Sequence, residues 1–227
     1  MCAAGYHYKN KPAFRLQAIL FNGRINNLFL KLSGDCNMDL RIVKTKKAII
    51  NAFLSLRAKR PLEKITVKEL CEMAIINKST FYSHYADIYE LSDSLENEVV
   101  LSVIQSMDHP EYIWENAGEF ARQLFLGYLS QDRLIQILFS DSRSSLFVSK
   151  IEQSVKEMVA EKYPQYCLDP VQNMVLTYTI YGGYYAYIRS RNYDQEQILS
   201  VLVNLTQNAG EWLTSVRCTP GPKPLEA

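Results

Sequence analysis

Residues 65–91 read ITVKELCEMAIINKSTFYSHYADIYEL and carry the start signals of two short helices in succession. Thr66 opens the first. Its hydroxyl is placed to accept the Glu69 backbone N–H while the Glu69 carboxylate reaches back to the N–H of Thr66, a capping box. Ile65 and Leu70 occupy the positions of a hydrophobic staple around that cap. The device then repeats: Asn77 is the cap of a second helix, with Ile76 and Phe81 in the staple positions. The predicted helices span 67–74 and 78–85. With so few residues between them they cannot pack antiparallel, so they cross steeply and leave the second one protruding. That geometry delivers a recognition helix to a DNA major groove.

Outward from this pair the pattern stays helical. From Arg41 to Lys59, Ala48, Ile49, Ala52, Phe53 and Leu56 form the apolar stripe of a helix facing a core, and Arg60-Pro61 ends it. Downstream, Asp87 and Glu90 form a further capping pair for a long helix over 88–107, stopped by Asp108-His109-Pro110. Further helices are predicted at 116–130, 133–139, 144–162, 170–191 and 194–213, with Pro170 at a first helical position. No alternating strand pattern occurs, so the expected class is all-α. The expected organisation is a helix-turn-helix domain over 38–87, a larger helical domain over 88–213, and a Pro-rich flexible tail over 214–227. Residues 1–37 lack a sustained period and end in the loop signal Ser33-Gly34-Asp35-Cys36-Asn37. Three readings stay open for them: an upstream start with Met38 as the native first residue, a basic arm that supplements DNA binding, or a partner-binding helix.

The run Thr66, Leu70-Cys71, Ala74, Ser79-Thr80-Phe81-Tyr82-Ser83-His84-Tyr85 and Leu91, with Ile49, Ala52, Phe53 and Leu56 before it, resembles the tetracycline-repressor (TetR) family of bacterial one-component regulators. The likeness covers about residues 42–91. It implies a three-helix DNA-binding domain, a diverged helical domain for an effector, and a homodimer paired through its last two helices as a four-helix bundle. Two positions depart from the family. Ile75 stands in the turn where the family has glycine, so either the turn is built differently here or the domain carries strain, since a β-branched residue held at positive φ costs about 1–2 kcal/mol. Ile88 stands where the family places a lysine for phosphate, and Asp87 and Glu90 beside it oppose an anion.

Composition agrees with an ordinary globular chain: 48% hydrophobic, 22% charged and a net charge of +1 over 227 residues. The charge is divided unevenly. Residues 39–86 hold ten Lys+Arg against four Asp+Glu, net +6, whereas residues 87–213 hold eight against eighteen, net −10. A basic segment joined to an acidic body favours one docking orientation on DNA. Cys2, Cys36, Cys71, Cys167 and Cys218 are an odd, scattered set, which points to a reducing cytoplasm. The histidines lack zinc-type spacing, so no metal and no cofactor is expected. Nor does any nucleophile–base set or phosphate loop point to an enzyme.

Lys78, Ser79 and Thr80 on the first turn of the second short helix are the candidate base contacts. The resemblance implies a phosphate contact at Tyr82; His84 reads either as a phosphate donor or as a partly buried packing residue. Thr66 is a further candidate DNA contact, and Lys44, Lys46 and Lys47 on the preceding helix read either as contacts to the DNA backbone or as solvated charges. Phe81 and Tyr85 read as core. In the larger domain Trp114, Phe120, Leu124, Tyr128, Phe139, Phe147, Tyr178 and Tyr181 read as ligand-lining residues or simply as core. Gly182, Tyr185, Ile198, Leu202, Leu205 and Trp212 read as a dimer interface, with an intramolecular core as the rival. Together these residues predict a homodimeric repressor of palindromic DNA, released by a small-molecule effector. The alternative is a DNA-binding coactivator or architectural protein that works through a protein partner without a ligand.

Overall fold

The computed structural model describes residues 40–109, 112–140, 143–162 and 170–217. The expectations for residues 1–37 and for the end of the tail lie outside them. Among the described residues there are helices and turns and no strand, so the fold is all-α. The helices are α1 (Leu40–Arg57), α2 (Val67–Ala74), α3 (Lys78–Tyr82), α4 (Ile88–Gln105), α5 (Tyr112–Glu115), α6 (Ala117–Leu138), α7 (Ser144–Lys162), α8 (Pro170–Ser190) and α9 (Gln195–Arg217), with one 3₁₀ turn at Leu62–Lys64. Two compact units result. One holds residues 40–53 and 67–84; the other holds 54–66 and the described residues from 85 onward.

In the first unit, Ile49, Ala52 and Phe53 of the stripe read from the sequence are buried while Ala48 is only partly covered, and Ile50 of α1, Leu70 of α2 and Phe81 of α3 are fully enclosed beside them. The turn between α2 and α3 is a Schellman motif. The Ile76 N–H reaches Cys71 O at 3.0 Å and the Ile75 N–H reaches Glu72 O at 3.4 Å. Such a motif needs a left-handed residue after the helix, and Ile75 takes that conformation at φ 55°. Of the two readings of the missing glycine, the turn therefore keeps its left-handed form and Ile75 carries the strain. Ile75 is 91% exposed, so packing does not offset it. Helix α3 stops at Tyr82, three residues short of the predicted end. The Ser83 hydroxyl donates to Thr80 O at 2.7 Å, and the His84 N–H turns back tightly to Phe81 O at 2.9 Å.

The second unit is a closed ring of five helices. Helix α4 packs on α6 and α7, α7 on α8, α8 on α9, and α9 back on α6. Asp87 caps α4, accepting the Glu90 N–H at 2.8 Å, while the Glu90 carboxylate takes the N–H of Ala86 rather than that of Asp87. At the α4–α6 crossing a Cβ on Gly127 would stand 3.0 Å from Val103 O, so only glycine permits that approach. Helix α6 runs unbroken where the sequence suggested two helices parted near residue 131. The polar residues taken for a break point outward to partners instead: Gln131 Nε2 donates to Ser102 Oγ at 3.1 Å, and Asp132 is held by Arg191 at 3.0 Å. They leave the backbone ladder intact.

Candidate functional site

The first turn of α3 is organised by one side chain. Asn77 Oδ1 accepts the Thr80 N–H at 2.8 Å, the Thr80 hydroxyl at 2.6 Å and the Ser79 hydroxyl at 2.8 Å. Sequence reading identifies the cap, but not that it also gathers both hydroxyls. Their protons point inward to Asn77, so what they present outward is lone pairs, suited to a base donor such as an exocyclic amine. Lys78 and Ser79 are exposed, Thr80 is half-buried, and Tyr82 is 56% exposed with its ring edge-on to Phe81 at 5.5 Å. His84 is half-buried. Phe81 and Tyr85 are core, as read. Lys44 is exposed on α1, Lys46 and Lys47 are partly covered, and Thr66 is exposed just ahead of α2. Cys71 is buried, and burial pushes its thiol up, away from reactivity.

At the centre of the five-helix ring lies a cavity of about 80 Å³, and each helix of the ring supplies a wall. Val103 comes from α4, Phe120, Leu124, Phe125 and Tyr128 from α6, Phe147, Val148 and Ile151 from α7, Gly183, Tyr184 and Tyr187 from α8, and Leu202 and Thr206 from α9. Four candidate ligand residues, Phe120, Leu124, Tyr128 and Phe147, are among them. Phe139 stands one layer behind, buried and edge-packed on Phe147 at 5.0 Å. Tyr178 is a correction: it is 75% exposed, because Thr179, Ile180, Gly183 and Tyr187 are the inward residues of α8 and leave position 178 on the outer face. Tyr181 is half-buried and hydrogen-bonds Glu152 rather than lining the cavity. The Trp114 side chain lies outside what is described.

Helix α8 is apolar around most of its circumference, which conceals from the sequence which side faces in. That is why Gly183, Tyr184 and Tyr187 are missed. The Tyr128 hydroxyl accepts from Arg191 at 2.5 Å and donates to Asp132, which closes a polar cluster at one end of the cavity. Burial pushes Tyr128, Tyr184 and Tyr187 above the usual tyrosine range.

Outside the ring, α8 and α9 expose an apolar stripe: Met174, Tyr178 and Tyr185 on one, Val201, Leu205 and Trp212 on the other. Gly182 lies on this exposed face. Two residues read as interface turn inward instead. Ile198 is buried within the chain and Leu202 lines the cavity. Their spacing matched the stripe, but their helical phase is that of the ring interior.

Among the described residues no group of His, Cys, Asp or Glu is placed to hold a metal, and no helix is long and apolar enough to cross a membrane. No family model matches the chain. Over 108 residues, 44% of this chain, it is 34% identical to the uncharacterized HTH-type transcriptional regulator YxbF of Bacillus subtilis strain 168. The chain covers 28% of that relative's length.

Proposed function

We propose that the protein is a cytoplasmic DNA-binding transcription regulator of the tetracycline-repressor type. It acts as a homodimer on a palindromic operator and is released by a small molecule held in the five-helix ring. The observation that carries the DNA-binding reading is the first turn of α3. Lys78, Ser79 and Tyr82 stand exposed on a five-residue helix anchored by a fully buried Phe81. The net charge of +6 over residues 39–86 and the likeness to an HTH-type regulator support it. In this reading Lys78, Ser79 and Thr80 read bases, while Thr66, Tyr82, His84, Lys44, Lys46 and Lys47 contact phosphates.

The homodimer rests on the exposed stripe of α8 and α9. Each residue of an isologous interface acts twice, and two recognition helices one helical turn apart cover the two half-sites. Release is a matter of differential affinity: the effector must prefer the dimer state whose recognition helices do not match that spacing.

The test is selection from a random pool of duplex DNA, followed by titration of the winning sequence at several salt concentrations. The winner is palindromic, and log K falls steeply with log[salt], by about 0.9 for each phosphate neutralised. A flat salt response removes the DNA-binding reading.

A further inference from the structure

Two adjacent glycines in mid-α8 have opposite surroundings. Gly182 is exposed, whereas Gly183 lines the central cavity. A Cβ at Gly183 would meet no atom of the described residues within 4 Å, so the position has room for a side chain and does not carry one. Glycine inside a helix is destabilising relative to alanine. What glycine preserves here is the open space over α8.

The chemistry of that space is narrow. Among the described residues the cavity wall contains no Asp, Glu, Lys, Arg or His. A charged ligand group would be buried there without a counter-charge, a costly arrangement. Its aromatic residues already meet edge to face, Tyr128 on Tyr187 at 5.1 Å and Phe125 on Tyr187 at 4.9 Å, an array that a further flat ring extends. At about 80 Å³ the cavity is smaller than the roughly 150 Å³ that admits benzene to a rigid apolar core. A single ring therefore enters only by spreading the walls. A second cavity of about 50 Å³ adjoins it, sharing Phe120, Thr179 and Thr206 and ending on the buried amide of Gln172. Among the described residues neither the Thr179 nor the Thr206 hydroxyl has a hydrogen-bond partner. The Tyr128 hydroxyl, by contrast, is already engaged by Arg191 and Asp132.

The geometry points to an uncharged, single-ring aromatic ligand with one hydrogen-bonding substituent, its ring over Gly183 and its substituent between Thr179 and Thr206. This rests on the reading of the ring as an effector site, and it names the class of effector.

The experiment titrates the full chain with benzyl alcohol, with toluene, which lacks the hydroxyl, and with benzoate, which carries a charge, reading binding by calorimetry and ligand-observed NMR. Benzyl alcohol binds, toluene binds more weakly, and benzoate at neutral pH does not bind. Gly183→Val weakens benzyl alcohol by at least about tenfold, whereas Thr179→Val with Thr206→Val lowers affinity for benzyl alcohol and not for toluene. Benzoate binding as tightly as benzyl alcohol overturns the proposal, as does a folded Gly183→Val protein with undiminished affinity. Should Gly183→Val fail to fold, the three probes on the parent protein decide. DNA titration separates the two readings. Benzyl alcohol that binds without changing operator affinity sinks the effector reading and leaves the site standing. A protein that binds DNA but not benzyl alcohol sinks the site.

Discussion

The Glu96 carboxylate is fully buried on α4, and the Arg143 guanidinium meets it at 2.7 Å from the start of α7. Ser92, also buried, donates its hydroxyl to the same Glu96 oxygen at 2.8 Å. Arg143 leads into Phe147 and Val148, so the pair ties α4 to the wall of the central cavity. Removing one partner of a buried pair leaves an uncompensated charge, which costs more than the pair itself contributes. Arg143→Met is therefore expected to lose about 3 kcal/mol in a urea titration. Adding Glu96→Gln to that variant returns most of the loss. A double variant no more stable than the single would show that the buried charge is not the cause.

The left-handed Ile75 gives a gain rather than a loss. Its side chain is 91% exposed, so truncation removes no packing, while glycine adopts φ 55° without a Cβ clash. Ile75→Gly is expected to stabilise the first unit by about 1 kcal/mol, the strain released less the entropy that glycine loses. Thermal melting of the two proteins side by side measures it. An unchanged or lower midpoint means the turn relaxes the isoleucine by another route.

Assembly is tested on the outer face of α8 and α9. A Cβ on Gly182 meets nothing within 4 Å and Leu205 is 61% exposed, so Gly182→Leu and Leu205→Glu leave the fold of one chain undisturbed. Both are expected to shift the protein toward monomer in sedimentation and to weaken operator binding, because each change acts twice across a two-fold interface. If both remain dimers at the parent's concentration dependence, the interface lies elsewhere.

Alkaline pH has a defined effect. Burial holds the phenols of Tyr85, Tyr128, Tyr184 and Tyr187 above the ordinary value of 10.0. These groups stay protonated in the fold and ionise in the unfolded chain. Stability is therefore fully present below pH 10 and falls as pH rises above it toward the raised folded values. Tyrosinate absorbance from these four buried residues should appear only together with loss of helix. Ionisation of these four phenols with the helix content unchanged is the contrary outcome.

Much of this protein is legible along the chain because its determinants act within four residues. The caps at Asn77 and Asp87, the start of α8 at Pro170 and the turn at Ile75 all involve groups one helical turn apart. The inside of the ring is another matter. Ile198 and Leu202 share a spacing with Leu205, and Tyr178 sits next to Thr179, yet the fold turns Ile198 and Leu202 inward and Leu205 outward, and parts Tyr178 from its neighbour. Likewise Gln131 and Asp132 look like a helix break until Ser102 and Arg191, remote in the chain, engage them. Periodicity tells that a helix has an apolar side. Which side faces the cavity is set only when five helices close on one another, since a helix apolar around most of its surface has no preferred phase until its neighbours supply one.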